Sequence, residues 1–405
     1  PKVVSGGPCQ EVVITKDIDL LATLPILKHS EDDAGRILGG GIIPTLPPYV
    51  PSGSDLCYKR MHIRGKDWAT MCILRATHLG YSVYLDHYKE KQPMTINISP
   101  SPAVMVVAST LTVHSIIPYG SDELGIAGAL QGSPVELCQA RTVDAYAIAN
   151  SEWVLEGYRL PERVWETEEA EKVGKGRAVP FFPEWTGYLG KATRGFKFQV
   201  TAITHRKDRP IFDAPLAHSI NLENMSVPLR EACFYDLAQR IVPGLVVDVN
   251  VLHGIKQSAG IVFQVRKRSS VDDAFVKNLL QSALGVSLSR IVVVVDEDVN
   301  IYNADEVFWA ITTRTSPETG VVKSPEGSLG IGFLPSEDAS RTGGAAGGGG
   351  MAFDATAPYA LKTQFKRAHY PADRVDLRKW FSEAEIAAVR AQQSDYARHL
   401  AKIGG

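Results

Sequence analysis

The sequence predicts an α+β protein. Its first half is built of short β-branched or aromatic runs separated by Gly, Pro or charged turns. In its second half such runs alternate with helical periods, the rhythm of a helix-covered sheet. Its last forty residues read as one amphipathic helix or two.

Bulk properties bound the rest. At 405 residues the chain exceeds one simple core, so two domains, or one large domain plus a tail, are expected. A 44% hydrophobic and 22% charged composition is that of a globular protein. The net charge of −2, with no long Lys or Arg block, argues against a nucleic-acid surface. No apolar run reaches the about 18 residues a bilayer span needs, so no membrane partner is expected. The five cysteines (Cys9, Cys57, Cys72, Cys138, Cys233) include no C-x-x-C pair, which argues against a disulfide framework and a structural zinc. No signal peptide is visible, and the cytoplasm is the expected compartment.

Pro1 to about Pro51 is rich in Pro and Gly and reads as an extended lead-in without helix. "YKRMHI", "WATMCIL", "YSVYL", "MTINIS" and "VMVVAST" read as strands. "SDELGIAGALQGSPVEL" turns helical, with Ser121 or Asp122 as N-cap and Gly132 as stop. "EWVLEGYRL" returns to strand, and the charged "ERVWETEEAEKVGKG" reads as a solvated loop or short helix. "AVPFFPEWTGYLG" surrounds a single acid, Glu184, with aromatics, and "FKFQVTAITHRK" alternates as a strand. A helix is expected from Pro228 to Ile241, followed by strands "LVVDVNVL", "GIVFQVRKR" and "RIVVVVDEDVNIYN" and helices "DDAFVKNLLQSAL" and "ADEVFWAITTR". No G-x-G-x-x-G follows a strand and no G-x-x-x-x-G-K-[ST] occurs. "TGGAAGGGGM" lacks the Lys of a phosphate loop and reads as an irregular segment.

One stretch concentrates chemistry. Asp55, Arg60 and His78 place a carboxylate, a guanidinium and an imidazole within one strand-rich region, which suits a pocket edge that grips an anion or a metal.

These blocks together resemble the UbiD family of reversible decarboxylases, which use prenylated FMN. "GGPCQEVVITKDIDLLATLPIL", "SDLCYKRMHI", "DELGIAGALQGSPVELCQARTVD", "SEWVLEGY", "PEWTGYLG", "VVVVDEDVNIYNADEVFWAITTR" and "GMAFDATAPY" follow the order of that family's blocks. The resemblance implies a split β-barrel flavin-binding domain over residues 1–212, an α/β oligomerisation domain over 213–340, and a Gly-rich loop with helical tail over 341–405. The family's usual N-terminal segment, before "GGPCQ", is expected to be missing.

The resemblance also assigns residues. Asp55, His78 and Glu123 fall on the family's ligands to a divalent cation that bridges the cofactor phosphate. Manganese is the first expectation, iron or magnesium the alternatives, and a potassium ion a possible companion. Asp55 stands where the family has Asn. Arg60 falls on the arginine that grips the substrate carboxylate, and Glu184 on the acid that returns a proton to the product carbon. Phe181, Phe182 and Trp185 would raise the pKa of Glu184 by excluding water. Tyr58, Lys59, Arg60, Leu74, Arg75, Ala76, Leu79 and Gly80 fall on flavin-cradling positions. Two departures stand out: Val179 replaces a second acid, and Gly350 replaces a Lys that meets the phosphate. His218 and Glu223 are candidates for substrate binding and for replacing that acid.

The implied activity is non-oxidative decarboxylation of an aromatic or α,β-unsaturated acid, releasing CO2. The alternatives are decarboxylation of an aromatic acyl-CoA thioester and a weakly active cofactor-binding subunit. The implied partners are a flavin prenyltransferase that supplies the cofactor and further copies of the chain, as a dimer or hexamer.

Overall fold

The structure is a computed structural model. It describes residues 1–74, 77–110, 113–174, 180–214, 220–252, 259–286, 289–325, 348–368, 374–389 and 391.

Six antiparallel strands close a barrel in the first half. They are β1 (Ile37–Thr45), β2 (Asp55–Ile63), β3 (Trp68–Met71), β4 (Gln92–Ile98), β5 (Trp153–Trp165) and β6 (Arg194–His205). Their order is β6-β3-β2-β1-β4-β5, and β5 pairs back onto β6 to complete the ring. Closure removes free sheet edges. Period-two alternation fills the interior with Leu38, Met61, Met71, Ile96, Leu155 and Phe196, all buried. A side sheet of Lys2–Val4, Glu136–Gln139 and Tyr146–Ile148 packs beside it.

The second unit is a five-stranded sheet in the order β7 (Val246–Asn250), β8 (Gly260–Val265), β9 (Ile291–Asp296), β11 (Met351–Ala355), β10 (Val321–Lys323). Strands β8, β9 and β11 run parallel. The helices Ile220–Ile241 and Val271–Gly285 cover one face through Phe234, Val276 and Leu280. Helix Ala304–Arg314 covers the other through Val307 and Ala310. "IVVVV" is apolar throughout because both faces of β9 are buried. The α+β class, the barrel and the helix-covered sheet match the expectation.

Four local readings need correction. "VMVVAST" is the helix Pro102–Ser109, opened by Pro102 in the first turn, where its missing N–H costs nothing. "YSVYL" continues the helical turn His78–Tyr81 into the π-helical segment Ser82–Asp86. β-Branched and aromatic content misled both readings: the helix from Pro102 is apolar nearly all round, and in the second segment even the exposed positions Tyr81 and Leu85 are apolar, so neither shows a clear polar face. The lead-in holds a one-turn helix, Leu20–Thr23, capped by the Asp19 carboxylate, and β1 itself, whose nine residues are all buried. The helix ending at Ile241 begins at Ile220, with Pro228 in its interior. In the tail, Leu377–Lys379 forms a 3-10 turn and residues 383–389 are helical. Most of "TGGAAGGGGM" lies outside the described residues.

Candidate active site

The site is organised along β2. Asp55 opens the strand and Arg60 lies five residues on, roughly 16 Å along an extended backbone.

At the Asp55 end, Ser54 clamps the barrel to the start of the helix Glu123–Gln131. Its N–H donates to the Ser121 carbonyl at 3.2 Å and its carbonyl accepts from Glu123 N–H at 3.0 Å. Its hydroxyl donates to Asp122 at 2.5 Å and accepts from Leu124 N–H at 2.8 Å. Asp122 is the N-cap position, as expected, but its carboxylate serves Ser54 instead of the helix. Gly53 makes the approach possible: its φ is +60°, and a Cβ there would lie 2.5 Å from the Ser121 oxygen.

This clamp brings Glu123 against Asp55. Glu123 Oε2 accepts from Leu56 N–H at 2.7 Å, and Glu123 Oε1 lies 3.2 Å from His78 Nδ1. Asp55 Oδ1 is 3.6 Å from the same nitrogen. His78 starts a helical turn capped by Thr77, whose hydroxyl accepts from Gly80 N–H at 3.0 Å. One ligand atom from each of Asp55, His78 and Glu123 lies within 4.8 Å of the others, and all three residues are buried. Burial first, then the neighbouring Glu123 charge, pushes the Asp55 carboxyl well above the carboxylate range. Two buried carboxylates and an imidazole fit a hard divalent cation, whose charge would relieve their repulsion.

At the other end, Arg60 is held between two acids. Its Nε donates to Glu166 Oε1 at 3.2 Å and its Nη2 to Glu166 Oε2 at 3.3 Å. Its Nη1 donates to Glu184 Oε1. Glu166 Oε2 also accepts from Thr193 N–H at 2.7 Å and from the Thr193 hydroxyl at 3.0 Å, so Glu166 is used as an acceptor throughout. Glu184 opens a turn in which its N–H donates to the Tyr188 carbonyl and its carbonyl accepts from Gly187 N–H, both at 2.9 Å. Burial raises the Glu184 pKa; Arg60 opposes the rise and the Glu166 charge adds to it. The direction is the one expected from a water-poor setting. Trp185 is buried there, and the side chains of Phe181 and Phe182 lie outside the described residues.

Glu166 was missed by sequence reasoning. It lies in the charged run read as solvated, and Glu168, Glu169 and Glu171 of that run are indeed exposed. Glu166 is 1% exposed, because β5 ends at Trp165 and Thr167 caps the next helix, which turns the residue between them inward. Its one sequence signal is an acid placed directly before a helix-capping Thr. Val179 stands where the resemblance expects a second acid, and the structure gives Arg60 a second carboxylate from position 166. Val179 and His218 lie outside the described residues, and Glu223 falls in the helix Ile220–Ile241 with its side chain undescribed.

The remaining assigned residues divide. Tyr58 is half-buried and Lys59 buried, both on β2 between the two clusters. Burial, then Glu184 and Asp213, raises the Tyr58 phenol, which places it on the Glu184 side. Leu79 and Gly80 are buried beside His78, Leu74 is partly exposed, and Arg75 and Ala76 lie outside the described residues. Gly350 could not carry a Lys without rearrangement, since a Cβ there would lie 2.5 Å from the Ser289 carbonyl oxygen.

The family model for the 3-octaprenyl-4-hydroxybenzoate carboxy-lyase Rift-related domain matches residues 2–217, and that for the corresponding C-terminal domain matches residues 223–355. The chain belongs to the UbiD family of carboxy-lyases. A gallate decarboxylase from Lactiplantibacillus plantarum is 30% identical over 364 residues, covering 87% of this chain and 71% of that protein. The apo 3,4-dihydroxybenzoic acid decarboxylase of Klebsiella pneumoniae superposes with a TM-score of 0.77 at 29% identity, covering 95% of this chain and 78% of that one. An evolved dimeric form of the UbiD-class enzyme HmfF from Pelotomaculum thermopropionicum, in complex with prFMN, gives 0.75 at 27% identity, covering 94% and 79%. Among the described residues no helix is long and apolar enough to cross a membrane.

Proposed function

We propose that this UbiD-family carboxy-lyase decarboxylates an aromatic acid, with Arg60, Glu166 and Glu184 as its working residues. One observation carries the reading: Arg60, half-buried on the strand opened by Asp55 of the Asp55–His78–Glu123 cluster, is shared by two buried carboxylates, Glu166 and Glu184.

Asp55, His78 and Glu123 would hold a divalent cation, manganese first. Tyr58, Lys59, Leu79 and Gly80 offer an aromatic face, a cation and close backbone to the cofactor. The donor set suits an anionic, planar group. Prenylated FMN, when bound, would supply the electron sink for cleavage of the C–CO2 bond, and a flavin prenyltransferase would supply the cofactor.

The protein's own residues do the rest. Arg60 orients the substrate carboxylate, since its planar fork matches two oxygens where Lys59 could not. Glu166, fixed by Thr193, keeps the guanidinium in place. Arriving substrate carboxylate competes with Glu184 for Arg60. That competition weakens the largest influence that lowers the Glu184 pKa, the Arg60 charge, and favours the protonated acid. After CO2 departs, Glu184 gives that proton to the product carbon. The buried setting excludes bulk water.

The intact pairing of Arg60 with two acids favours activity over the weakly active subunit. The test is co-production with a flavin prenyltransferase, followed by a panel of gallate, 3,4-dihydroxybenzoate and an aromatic acyl-CoA in deuterated water. Product deuterated at the former carboxyl carbon by the native chain, and not by Glu184→Gln, is expected. Undiminished deuteration by Glu184→Gln would remove that residue from the role. The exposed tail residues Trp380 and Phe381 are consistent with assembly into a homo-oligomer.

A further inference from the structure

We propose that Cys9 and Cys138 form an oxidisable thiol pair, closed to a disulfide by a hydroperoxide, that fastens the first residues of the chain to the side sheet of the barrel domain. The two sulfurs are 129 positions apart in sequence and 3.7 Å apart in space. Both side chains are wholly buried, packed with Ala147, Ala149 and Val154. A disulfide needs about 2.05 Å between sulfurs, so closure asks for a shift of under 2 Å.

The surroundings hold the pair in place. Lys2–Val4 runs parallel to Glu136–Gln139, with Val4 opposite Cys138. Cys9 lies in the turn Pro8–Gln10, and its N–H donates to the Ala149 carbonyl at 3.2 Å. Gly7 meets the same residue so closely that a Cβ would lie 2.4 Å from the Ala149 oxygen. Gln10 Nε2 donates to the Gln139 carbonyl at 2.7 Å, one residue beyond Cys138. The other three cysteines have no such sulfur neighbour among the described residues. Cys72 meets the Thr193 hydroxyl at 3.9 Å, and Cys57 and Cys233 lie in other parts of the fold.

The two thiols are also unlike. Either thiol can donate to the other across the 3.7 Å contact. With Cys9 as donor, Cys138 is held below the ordinary thiol range, helped by Arg141, while the same bond and burial hold Cys9 above it. In that arrangement Cys138 is the attacking thiolate. Its thiolate attacks one oxygen of hydrogen peroxide, the O–O bond breaks, and hydroxide leaves, giving a sulfenic acid. The Cys9 sulfur then attacks Cys138 sulfur and the S–O bond breaks. The departing hydroxide takes the Cys9 proton as water. Two thiols are oxidised by two electrons in all, and the peroxide is reduced to two waters. Access comes through opening of the three-residue Lys2–Val4 strand, two of whose residues are exposed.

The bond would clamp the frame that carries Glu123, because the Glu136–Gln139 strand follows the Glu123–Gln131 helix after a short turn. The test uses the full chain with its cofactor, exposed to hydrogen peroxide and then alkylated under denaturing conditions. Native protein is expected to pass from five alkylated cysteines to three, with a peptide linking Cys9 to Cys138. A reductant should restore five. Cys9→Ser should show no cross-link, and Cys57→Ser should retain it. The oxidised native chain should melt higher by roughly 5 °C or more, since the bond closes a loop of over 100 residues. Five alkylated cysteines after oxidation, a cross-link through any other cysteine, or a Cys138 sulfinic acid without cross-link would each overturn the assignment. A cross-linked chain that melts no higher would overturn the clamp.

Discussion

Glu166→Gln tests the site most directly. The glutamine keeps one acceptor oxygen of the two, so one of the two Arg60 contacts, at 3.2 and 3.3 Å, becomes a hydrogen bond to an uncharged acceptor and the other is lost. A charge-assisted hydrogen bond contributes about 1.5–3 kcal/mol net. The expected loss in kcat/KM is therefore roughly 10- to 150-fold, at about 1.4 kcal/mol per tenfold. The pH profile is the sharper readout. Glu166 raises the pKa of Glu184, and Arg60 lowers it. Removing the Glu166 charge, and leaving Arg60 to Glu184 alone, both push Glu184 downward. The protonated acid is then lost at lower pH, and the alkaline limb of the kcat profile moves toward acid. The assay is decarboxylation of the acid found by the substrate panel, from pH 5 to 9, beside a thermal melt to confirm folding. A kcat/KM within threefold of native, or an alkaline limb that stays or moves upward, would refute the assignment.

Other substitutions probe the remaining parts. Arg60→Lys keeps the charge but not the fork, so turnover is expected to fall by at least about 10²-fold while flavin absorbance is retained; turnover near native would refute a bidentate grip. Asp55→Asn removes a buried acid whose pKa burial and Glu123 raise in the folded chain, so at pH 7 the native carboxyl favours the unfolded state, where it ionises freely. Without metal the variant should melt higher than native at pH 7, and with manganese it should lose its ion sooner to a chelator, read by elemental analysis. Gly350→Ala should cost roughly 1–3 kcal/mol in a urea melt, because its Cβ meets backbone oxygens of Ser289 and Arg290 at 2.5 and 2.7 Å. An unchanged midpoint would show that this turn can yield.

Much of the fold was legible because the decisive segments obey one period each. "FKFQVTAITHRK" alternates along β6, and "RIVVVVD" has the length of a doubly buried strand. The failures came where period gave no information. The helix Pro102–Ser109 is apolar nearly all round, and β1 carries three consecutive glycines that dilute its strand signal. At the site, Asp55, His78 and Glu123 are brought together as the family resemblance implied. Position by position matching could not find Glu166, because it fills a spatial place from a different part of the chain. Its neighbours in sequence are solvated acids, and only the cap at Thr167 turns it inward. The Cys9–Cys138 approach was equally hidden, since 129 residues separate the thiols and spacing says nothing at that range.

Glu166 also explains why losing the acid at position 179 need not cost Arg60 its hold. What the chemistry requires is a second carboxylate on the guanidinium, rigidly held and used only as an acceptor. Thr193 supplies that rigidity through two hydrogen bonds, at 2.7 and 3.0 Å, made from the start of the strand β6 side of the barrel. An acid anchored on the barrel wall is set by the backbone of β5 and β6. In the proposed mechanism, separating the two acids in sequence would let Glu184 exchange partners as substrate binds while Glu166 stays on Arg60. A double-mutant cycle distinguishes these roles. Glu166→Gln and Thr193→Val should show strong coupling in kcat/KM, on the order of 1–2 kcal/mol, because they act through one contact. Thr193→Val and Glu184→Gln should add nearly independently. Coupling of equal size in both pairs would mean that the three residues move as one unit, and that Glu166 is no fixed anchor.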